Sequence, residues 1–170
     1  MFHGRQPDLG AQKVRGDGSG YPKAGGGRGC RPFPLLELVD EDAAAFEPLA
    51  KAYSISKGSP NRDETLETVT LGACAAPLEM MRCCCRAIGL LEEMLDKGSA
   101  MLISDVGCGA LCCAAALESA GLNVFVNTRT LKDRVEAAKL EAEADGMLQA
   151  YGGRAERIAQ EVTRRLLRKE

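Results

Sequence analysis

The apolar residues from residue 34 onward recur with the period of an α-helix. In the first such segment they stand at Leu35, Leu38, Val39, Phe46, Leu49 and Tyr53. This spacing lines one face of a helix over about 35–52. Asp42 falls on that face, between two of the apolar residues. Pro48 lacks a backbone donor, so we expect it to end or bend this helix.

A second helical pattern covers residues 62–97. Asn61 and Glu64 have the spacing of a capping pair at its start, and Gly98 is a typical stop at its end. Pro77 lies in the middle of the pattern and predicts a kink.

The segment 101–120 predicts a helix that is apolar on every side, and we expect Gly121 to end it. Asp105 is the only charge from residue 101 to residue 117. A helix of this kind must be covered all round. A chain of four or five helices does this poorly, so we expect oligomerisation through this region. The next residues, 122–127, alternate like an extended segment.

Two more helices complete the pattern. Thr130 and Asp133 fit the cap of a helix that runs to about Tyr151. We expect Gly152-Gly153 to break the chain before a last, charged helix. The fold predicted for residues 34–170 is all-α, an antiparallel bundle of long, kinked helices. Residues 1–33, rich in Gly, Arg and Pro, predict a separate disordered tail.

Composition narrows the function classes. Lys and Arg total 22 against 24 Asp and Glu, which argues against nucleic acid as a partner because phosphate binding needs excess positive charge. Asp105 interrupts the most apolar window, so we expect no membrane span. The start of the chain lacks a charged-then-apolar signal pattern, so we expect a cytoplasmic protein.

Eight cysteines raise the question of disulfides or a metal site. Three of them, 83–85, are consecutive in a helical segment, where neighbouring side chains diverge and cannot join loops. Cys108 and Cys112 share a helix face, but His3, the only histidine, lies in the tail. We therefore expect no metal site and interpret the cysteines as small packing side chains.

Asp105 is the sharpest chemical signal, because an unpaired carboxylate in a dry helix costs several kcal/mol. It would need a cationic partner, a wet cleft or a proton, or it would lie in a first turn stabilised by the helix dipole. In a partly dry cleft it would serve as general acid or base. Asp42 alone is better explained as facing a partner or solvent. Asn123 and Asn127 would offer amides to a polar heterocycle, although such residues more often satisfy backbone groups.

Four segments, in order and spacing, resemble the cyclodeaminase/cyclohydrolase family. They are LVDEDAAAF (Leu38–Phe46), AAPLE (Ala75–Glu79), Lys97-Gly98 leading into ISDVG (Ile103–Gly107), and LNVFVN (Leu122–Asn127). The resemblance covers about residues 34–167. The Pro-Gly-Gly-Gly-Ser loop and the helices that open the family pattern have no counterpart here. We therefore expect a domain that is incomplete at its N-terminus.

The resemblance implies an all-helical homodimer that binds a tetrahydrofolate derivative and needs no cofactor. One branch of the family converts 5-formiminotetrahydrofolate to 5,10-methenyltetrahydrofolate and ammonia, and the other hydrolyses the methenyl compound to 10-formyltetrahydrofolate. The family's Ser-Asp element maps onto Ser104 and Asp105, and its acidic helix position maps onto Asp42. We expect Asp105 to move the proton or orient the pterin, Asp42 to assist, and Ser104, Asn123 and Asn127 to bind substrate.

Three kinds of function remain open at this point. The favoured one is an enzyme of folate one-carbon metabolism, a formimidoyltetrahydrofolate cyclodeaminase, with methenyltetrahydrofolate cyclohydrolase as the alternative. The second is a catalytically inactive helical assembly or folate-binding protein that results from the missing N-terminal helices. The third is a cysteine-based metal or redox protein.

Overall fold

The structure, a computed structural model, describes residues 35–167. The expected tail, 1–33, lies outside this range. The described residues form five α-helices and one short 3-10 turn, with no strand among them. The helices are α1 (Leu35–Tyr53), α2 (Arg62–Ala73), α3 (Ala75–Lys97), α4 (Ile103–Thr128) and α5 (Arg134–Leu167), and the 3-10 turn, Ala100–Leu102, precedes α4. The predicted all-α fold is confirmed.

Helices α3, α4 and α5 form an antiparallel three-helix bundle, because short connections reverse the chain between them. Each of the three packs on the other two, while α1 and α2 pack together at α3. In the described part of the chain, α1 contacts neither α4 nor α5. The predicted site residues Asp42, on α1, and Asp105, on α4, therefore lie on helices that do not pack against each other.

The bundle core is built from apolar side chains with almost no exposed surface, each contributing roughly 1.5–3 kcal/mol when fully buried. Glycine allows two helices to approach closely at one level. A Cβ added at Gly107 of α4 would lie 2.8 Å from Cγ1 of Val162 in α5. The largest fully buried side chains of this core are Met81, Ile88, Leu117, Ile158, Val106 and Val124.

The predicted single helix over 62–97 is two helices that meet at Cys74. Proline causes this break. Pro77 has no backbone N–H, so the carbonyl of Ala73 loses the donor that a continuous helix would supply. The Nδ2 amide of Asn127 in α4 donates to that carbonyl instead, at 3.2 Å. Asn61 precedes α2 as predicted, but its side chain makes no capping hydrogen bond.

The predicted helix end at Gly121 is wrong, and so is the extended segment 122–127. Helix α4 continues through both to Thr128. Gly121 serves close packing, because a Cβ there would lie 3.2 Å from Leu148 of α5 and 3.4 Å from Met81 of α3. In this part of α4, Val124 is in the core and Phe125 packs against it half-buried, whereas Leu122, Asn123 and Val126 are exposed.

The predicted break at Gly152-Gly153 is also wrong, since α5 is one helix of 34 residues. Two glycines cost roughly 1 kcal/mol each in a helix interior, and tertiary contacts on both sides offset this. Arg154 donates to Oε2 of Glu92 in α3 through Nε at 3.2 Å and Nη2 at 2.5 Å. Its guanidinium also lies 4.5 Å from the ring centroid of Tyr151.

The start of α5 is capped by Asp133 alone. Its Oδ1 accepts from the N–H groups of Val135 and Glu136, each at 3.0 Å. Thr130 has another role, since its hydroxyl donates to the Asn127 carbonyl at 2.9 Å. The Glu67 carboxylate of α2 accepts from the backbone N–H groups of Lys132 and Asp133, both at 2.8 Å. These bonds fix the connection between α4 and α5 against α2.

Helix α1 continues through Pro48 to Tyr53. Its apolar residues divide into two rows, which the predicted single stripe did not separate. Leu38, Leu49 and Ala52 are buried against the rest of the chain. The neighbouring row is exposed, and it consists of Leu35, Val39, Phe46 and Tyr53.

Candidate functional site

Asp105 lies in the first turn of α4 and is exposed, which is one of the alternatives that the sequence left open for it. The preceding turn is fixed by Ser99, whose Oγ accepts from the Met101 N–H at 3.3 Å. Within residues 35–167, Asp105 makes no hydrogen bond or ion pair. Its position suits a carboxylate because the N-terminal end of a helix carries partial positive charge. It is therefore a free acceptor at the start of α4.

Ser104 and Asp105 belong to a long exposed surface that we call the α4 face. This surface is apolar apart from a few polar side chains near its ends and one serine. Only the opposite side of α4 enters the bundle core, so the chain alone leaves this side uncovered, as expected for so few helices. The α4 face consists of Ser104, Asp105, Cys108, Leu111, Cys112, Ala115, Ala116, Ser119, Leu122, Asn123 and Val126, all exposed.

Asn123 lies on the α4 face but far from Asp105. The two residues are eighteen positions apart, which is about 27 Å along a helix. Both point to the same side of α4, because eighteen residues are five full turns. In one chain these two predicted site residues therefore share a face without sharing a pocket.

Asn127 is directed into the fold. It is half-buried and its amide donates to the Ala73 carbonyl, so one of its two amide hydrogens is already used at the α2–α3 junction. The sequence left two roles open for Asn127, binding a polar heterocycle or hydrogen bonding to the backbone, and the structure shows the second. Pro77 was the sequence signal for this role, because a proline in a helix leaves the carbonyl four residues before it without a backbone donor.

Asp42 is half-buried on α1, between the buried row and the exposed apolar row of that helix. It makes no hydrogen bond or ion pair to other residues of the described range. Since α1 does not contact α4, the chain does not bring Asp42 and Asp105 onto packed helices. The pairing of these two carboxylates stays a prediction.

The cysteines differ in access. Burial raises the pKa of the Cys74 and Cys84 thiols to about 11. Cys108 and Cys112, on the α4 face, are exposed. Within residues 35–167 no two cysteines form a disulfide, and no three His, Cys, Asp or Glu side chains gather as metal ligands.

Sequence reasoning missed a shallow groove of about 440 Å³ beside α4 and α5. Its lining residues are Phe125, Glu141, Ala142 and Asp145. Its carboxylates are already engaged, since Glu141 pairs with Arg134 at 3.3 Å and Asp145 accepts from Gln149 at 2.6 Å. The i, i+4 spacing of Glu141 and Asp145 was the available signal. None of the predicted site residues lines this groove.

Fold and site together define a class of protein, an all-helical bundle domain with an accessible Ser-Asp pair at the start of a long apolar helix. The chain belongs to the formiminotransferase-cyclodeaminase family, whose model matches residues 33–146. The predicted resemblance is thereby confirmed.

Two curated proteins show the relationship in sequence. Methenyltetrahydrofolate cyclohydrolase of Methylorubrum extorquens is 34% identical over 136 residues, covering 75% of this chain and 64% of that protein. Formimidoyltransferase-cyclodeaminase of Mus musculus is 28% identical over 119 residues, covering 68% of this chain and 22% of that protein. The chain thus spans less than two thirds of the length of these relatives.

A solved structure has a similar fold. The crystal structure of formiminotetrahydrofolate cyclodeaminase from Thermotoga maritima matches with a TM-score of 0.61 and 23% sequence identity. The match covers 75% of this chain and 63% of the other. At this identity the likeness concerns the helical fold.

Proposed function

We propose that this chain is an enzyme of folate one-carbon metabolism that hydrolyses 5,10-methenyltetrahydrofolate to 10-formyltetrahydrofolate. One observation carries the proposal: Asp105 is exposed and unpaired within residues 35–167, on the Ser-Asp element of a chain that belongs to the family. The cyclohydrolase of M. extorquens, at 34% identity, supports hydrolysis over the cyclodeaminase reaction that the sequence first favoured.

The reaction needs a group that moves protons. Water adds to the carbon that bridges N5 and N10 and gives a tetrahedral intermediate. The bond from this carbon to N5 then breaks, and one proton is released overall. Asp105 accepts the proton of the attacking water and returns it to N5 as that nitrogen leaves, which is general acid–base catalysis.

The other predicted residues have supporting roles in this proposal. Ser104 and Asn123 offer hydrogen bonds to the pterin, and Asp42 assists from α1. Asn127 holds the α2–α3 junction through its bond to Ala73 and contributes to substrate binding only through its remaining amide groups. The substrate is a tetrahydrofolate derivative, and the reaction as written requires no cofactor.

Cyclodeamination is the second candidate, because the mouse protein that the chain resembles is a formimidoyltransferase-cyclodeaminase. In this reaction N10 attacks the formimino carbon and loses its proton. The terminal nitrogen takes up two protons, one replacing that lost by N10 and one from solution, the bond from the carbon to this nitrogen breaks, and it leaves as ammonia. The same carboxylate serves both reactions. They are distinguished by substrate and by ammonia release.

We also propose a homodimer that acts in the cytoplasm. The exposed apolar surface of α4 supports association, since monomeric proteins rarely leave large contiguous apolar patches uncovered. The −2 net charge gives no support to nucleic-acid binding.

The test is turnover by the purified full chain of 5,10-methenyltetrahydrofolate and, separately, of 5-formiminotetrahydrofolate. We expect loss of the methenyl absorbance, and a decrease in rate of roughly 10²–10⁴-fold in Asp105→Asn. Glu118→Gln is the matched control, because it removes another exposed charge from the same helix and should keep full activity. A folded Asp105→Asn variant with normal turnover contradicts the proposal. Folate binding without turnover by the wild-type chain would indicate the inactive alternative.

A further inference from the structure

The turn that leads into Asp105, residues 98–102, has little support from the rest of the fold. Its 3-10 part, Ala100–Leu102, contacts α4 and no other helix of the described chain. Within the turn, the Ser99 carbonyl accepts from the Leu102 N–H at 3.0 Å. This bond is local, so it fixes the shape of the turn and leaves its position on the bundle to other contacts.

Arg165 of α5 holds the residues just before this turn. Its guanidinium donates through Nη1 to the Leu95 carbonyl in the last turn of α3, at 2.6 Å. Nη2 lies 3.8 Å from Oδ1 of Asp96, and Nε donates to Oε1 of Glu161 in α5 at 2.8 Å. All three nitrogens therefore have partners, and together they join the end of α3 to α5.

The Leu95 carbonyl needs a donor from outside its own helix. It is one of the last four carbonyls of α3, which a helix leaves without an intrahelical N–H. At Gly98 the backbone becomes extended, with ψ at 160°, and among residues 35–167 no backbone N–H donates to Leu95. Arg165 supplies the donor instead. Because it is charged, this hydrogen bond is stronger than one between neutral groups.

The same part of α5 also contacts the start of α4. Val162 packs so closely on Gly107 that a Cβ there would lie 2.8 Å from its Cγ1. Hydrogen bonds from Arg164 and Arg165 lower the pKa of the Glu161 carboxyl to about 2, so it stays ionised at neutral pH and keeps orienting Arg165. Helix α5 thus holds the chain on both sides of the turn.

We infer that Arg165 is a positioning residue for Asp105, because it fixes the end of α3 and the turn from which the first turn of α4 starts. This inference rests on the proposed function of Asp105. It extends the site to a part of α5 beyond residues 33–146, the part that the family model matches. Position matters for the rate, since a misplacement of about 1 Å can cost about 10²-fold in turnover.

A contribution to stability alone is the competing role. The side chains of Arg165 and Asp96 are 39% and 76% exposed, and exposed ion pairs contribute little to stability. Arg164 provides a matched comparison. It donates to the same Glu161, through Nε at 2.6 Å, but within the described range it makes no hydrogen bond or ion pair with α3.

Turnover of 5,10-methenyltetrahydrofolate by the full chain tests the effect on the reaction. In Arg165→Met, kcat should fall roughly 10–100-fold with KM unchanged and with a melting temperature near that of wild type. Arg165→Lys keeps a charged donor for the Leu95 carbonyl and should recover much of the loss. Arg164→Met should keep the wild-type kcat. Equal losses in Arg165→Met and Arg164→Met overturn the inference, and so does a higher KM with unchanged kcat.

A double variant tests whether Arg165 acts through Asp105. Residues that act together show effects that do not add. Arg165→Met should therefore slow the wild-type chain but should slow the Asp105→Asn variant little further. If the two losses multiply, Arg165 acts independently of Asp105 and the inference is wrong.

Amide hydrogen exchange tests the anchor without any enzymatic activity. In Arg165→Met the N–H groups of Gly98 and Leu102, which donate to the Met94 and Ser99 carbonyls, should exchange faster than in wild type. In Arg164→Met they should exchange as in wild type. Unchanged exchange in Arg165→Met overturns the inference. The expected exchange difference in a chain whose wild type has no turnover would count against the proposed function alone.

Discussion

At the scale of single residues, the fold explains the polar side chain of Asn127 but offers no partner for that of Asp105. Both are polar side chains in apolar surroundings, and the sequence identified both as unusual. For Asn127 the reason is local to the fold, since Pro77 leaves the Ala73 carbonyl without a donor and the amide supplies one at 3.2 Å. For Asp105 the described chain offers no partner, so its role depends on what docks at the start of α4.

Replacing Asn127 should cost stability. In Asn127→Leu the carbonyl of the buried Ala73 loses its donor, and we expect the free energy of unfolding to fall by about 1–2 kcal/mol. Urea unfolding followed by circular dichroism measures this. Asn123→Leu is the matched control, because Asn123 is exposed and makes no hydrogen bond in the described range. Equal losses in both variants would contradict the assigned role of Asn127.

The thiols should react in two classes. Cys108 and Cys112 are exposed, whereas burial raises the pKa of Cys74 and Cys84 to about 11. With a thiol reagent at neutral pH, labelling mapped by mass spectrometry should reach the exposed pair in the native protein and the buried pair only on unfolding.

The same two buried thiols make stability depend on pH. Their pKa values are raised in the folded state, so their stabilising contribution is complete below the unfolded pKa of about 9 and is lost as the pH rises toward about 11. The free energy of unfolding should therefore decrease over this range. Cys84→Ala should flatten that slope, and an unchanged slope would argue against burial of the thiolate as its cause.

At the scale of elements, the wrongly predicted ends of α4 and α5 both lie at glycines. Gly121 and Gly152-Gly153 have the local signature of helix ends, yet α4 and α5 run through them. Glycine weakens a helix by about 1 kcal/mol, and close packing or an ion pair across helices offsets that cost. These contacts join residues that are distant in sequence, so the local pattern carries no sign of them. Gly98, which ends α3 as predicted, has no such contact with another helix.

Two glycine substitutions should have opposite effects. A Cβ in Gly107→Ala would lie 2.8 Å from Val162, so we expect a loss of roughly 1–2 kcal/mol despite better helix propensity. Gly146→Ala has nothing within 4 Å and should gain up to about 1 kcal/mol. Thermal unfolding measures both. Val162→Ala should partly rescue the first variant, and a stabilising Gly107→Ala would contradict the close contact.

At the scale of the whole molecule, the sequence predicted the fold class and the family, because helical periodicity and ordered motifs are properties of the chain itself. It did not predict which apolar surfaces stay uncovered. Val39 and Phe46 on α1 and the α4 face are exposed although their patterns resemble those of buried helices. Burial depends on partners, and one sequence does not contain the geometry of a second copy.

The most direct test of the central claim, that Asp105 moves the proton in folate turnover, is the rate at which the purified full chain hydrolyses 5,10-methenyltetrahydrofolate. The account predicts turnover by the wild-type chain and a decrease of roughly 10²–10⁴-fold in a folded Asp105→Asn variant. Wild-type turnover in that variant, with circular dichroism showing an unchanged helical fold, would contradict the account.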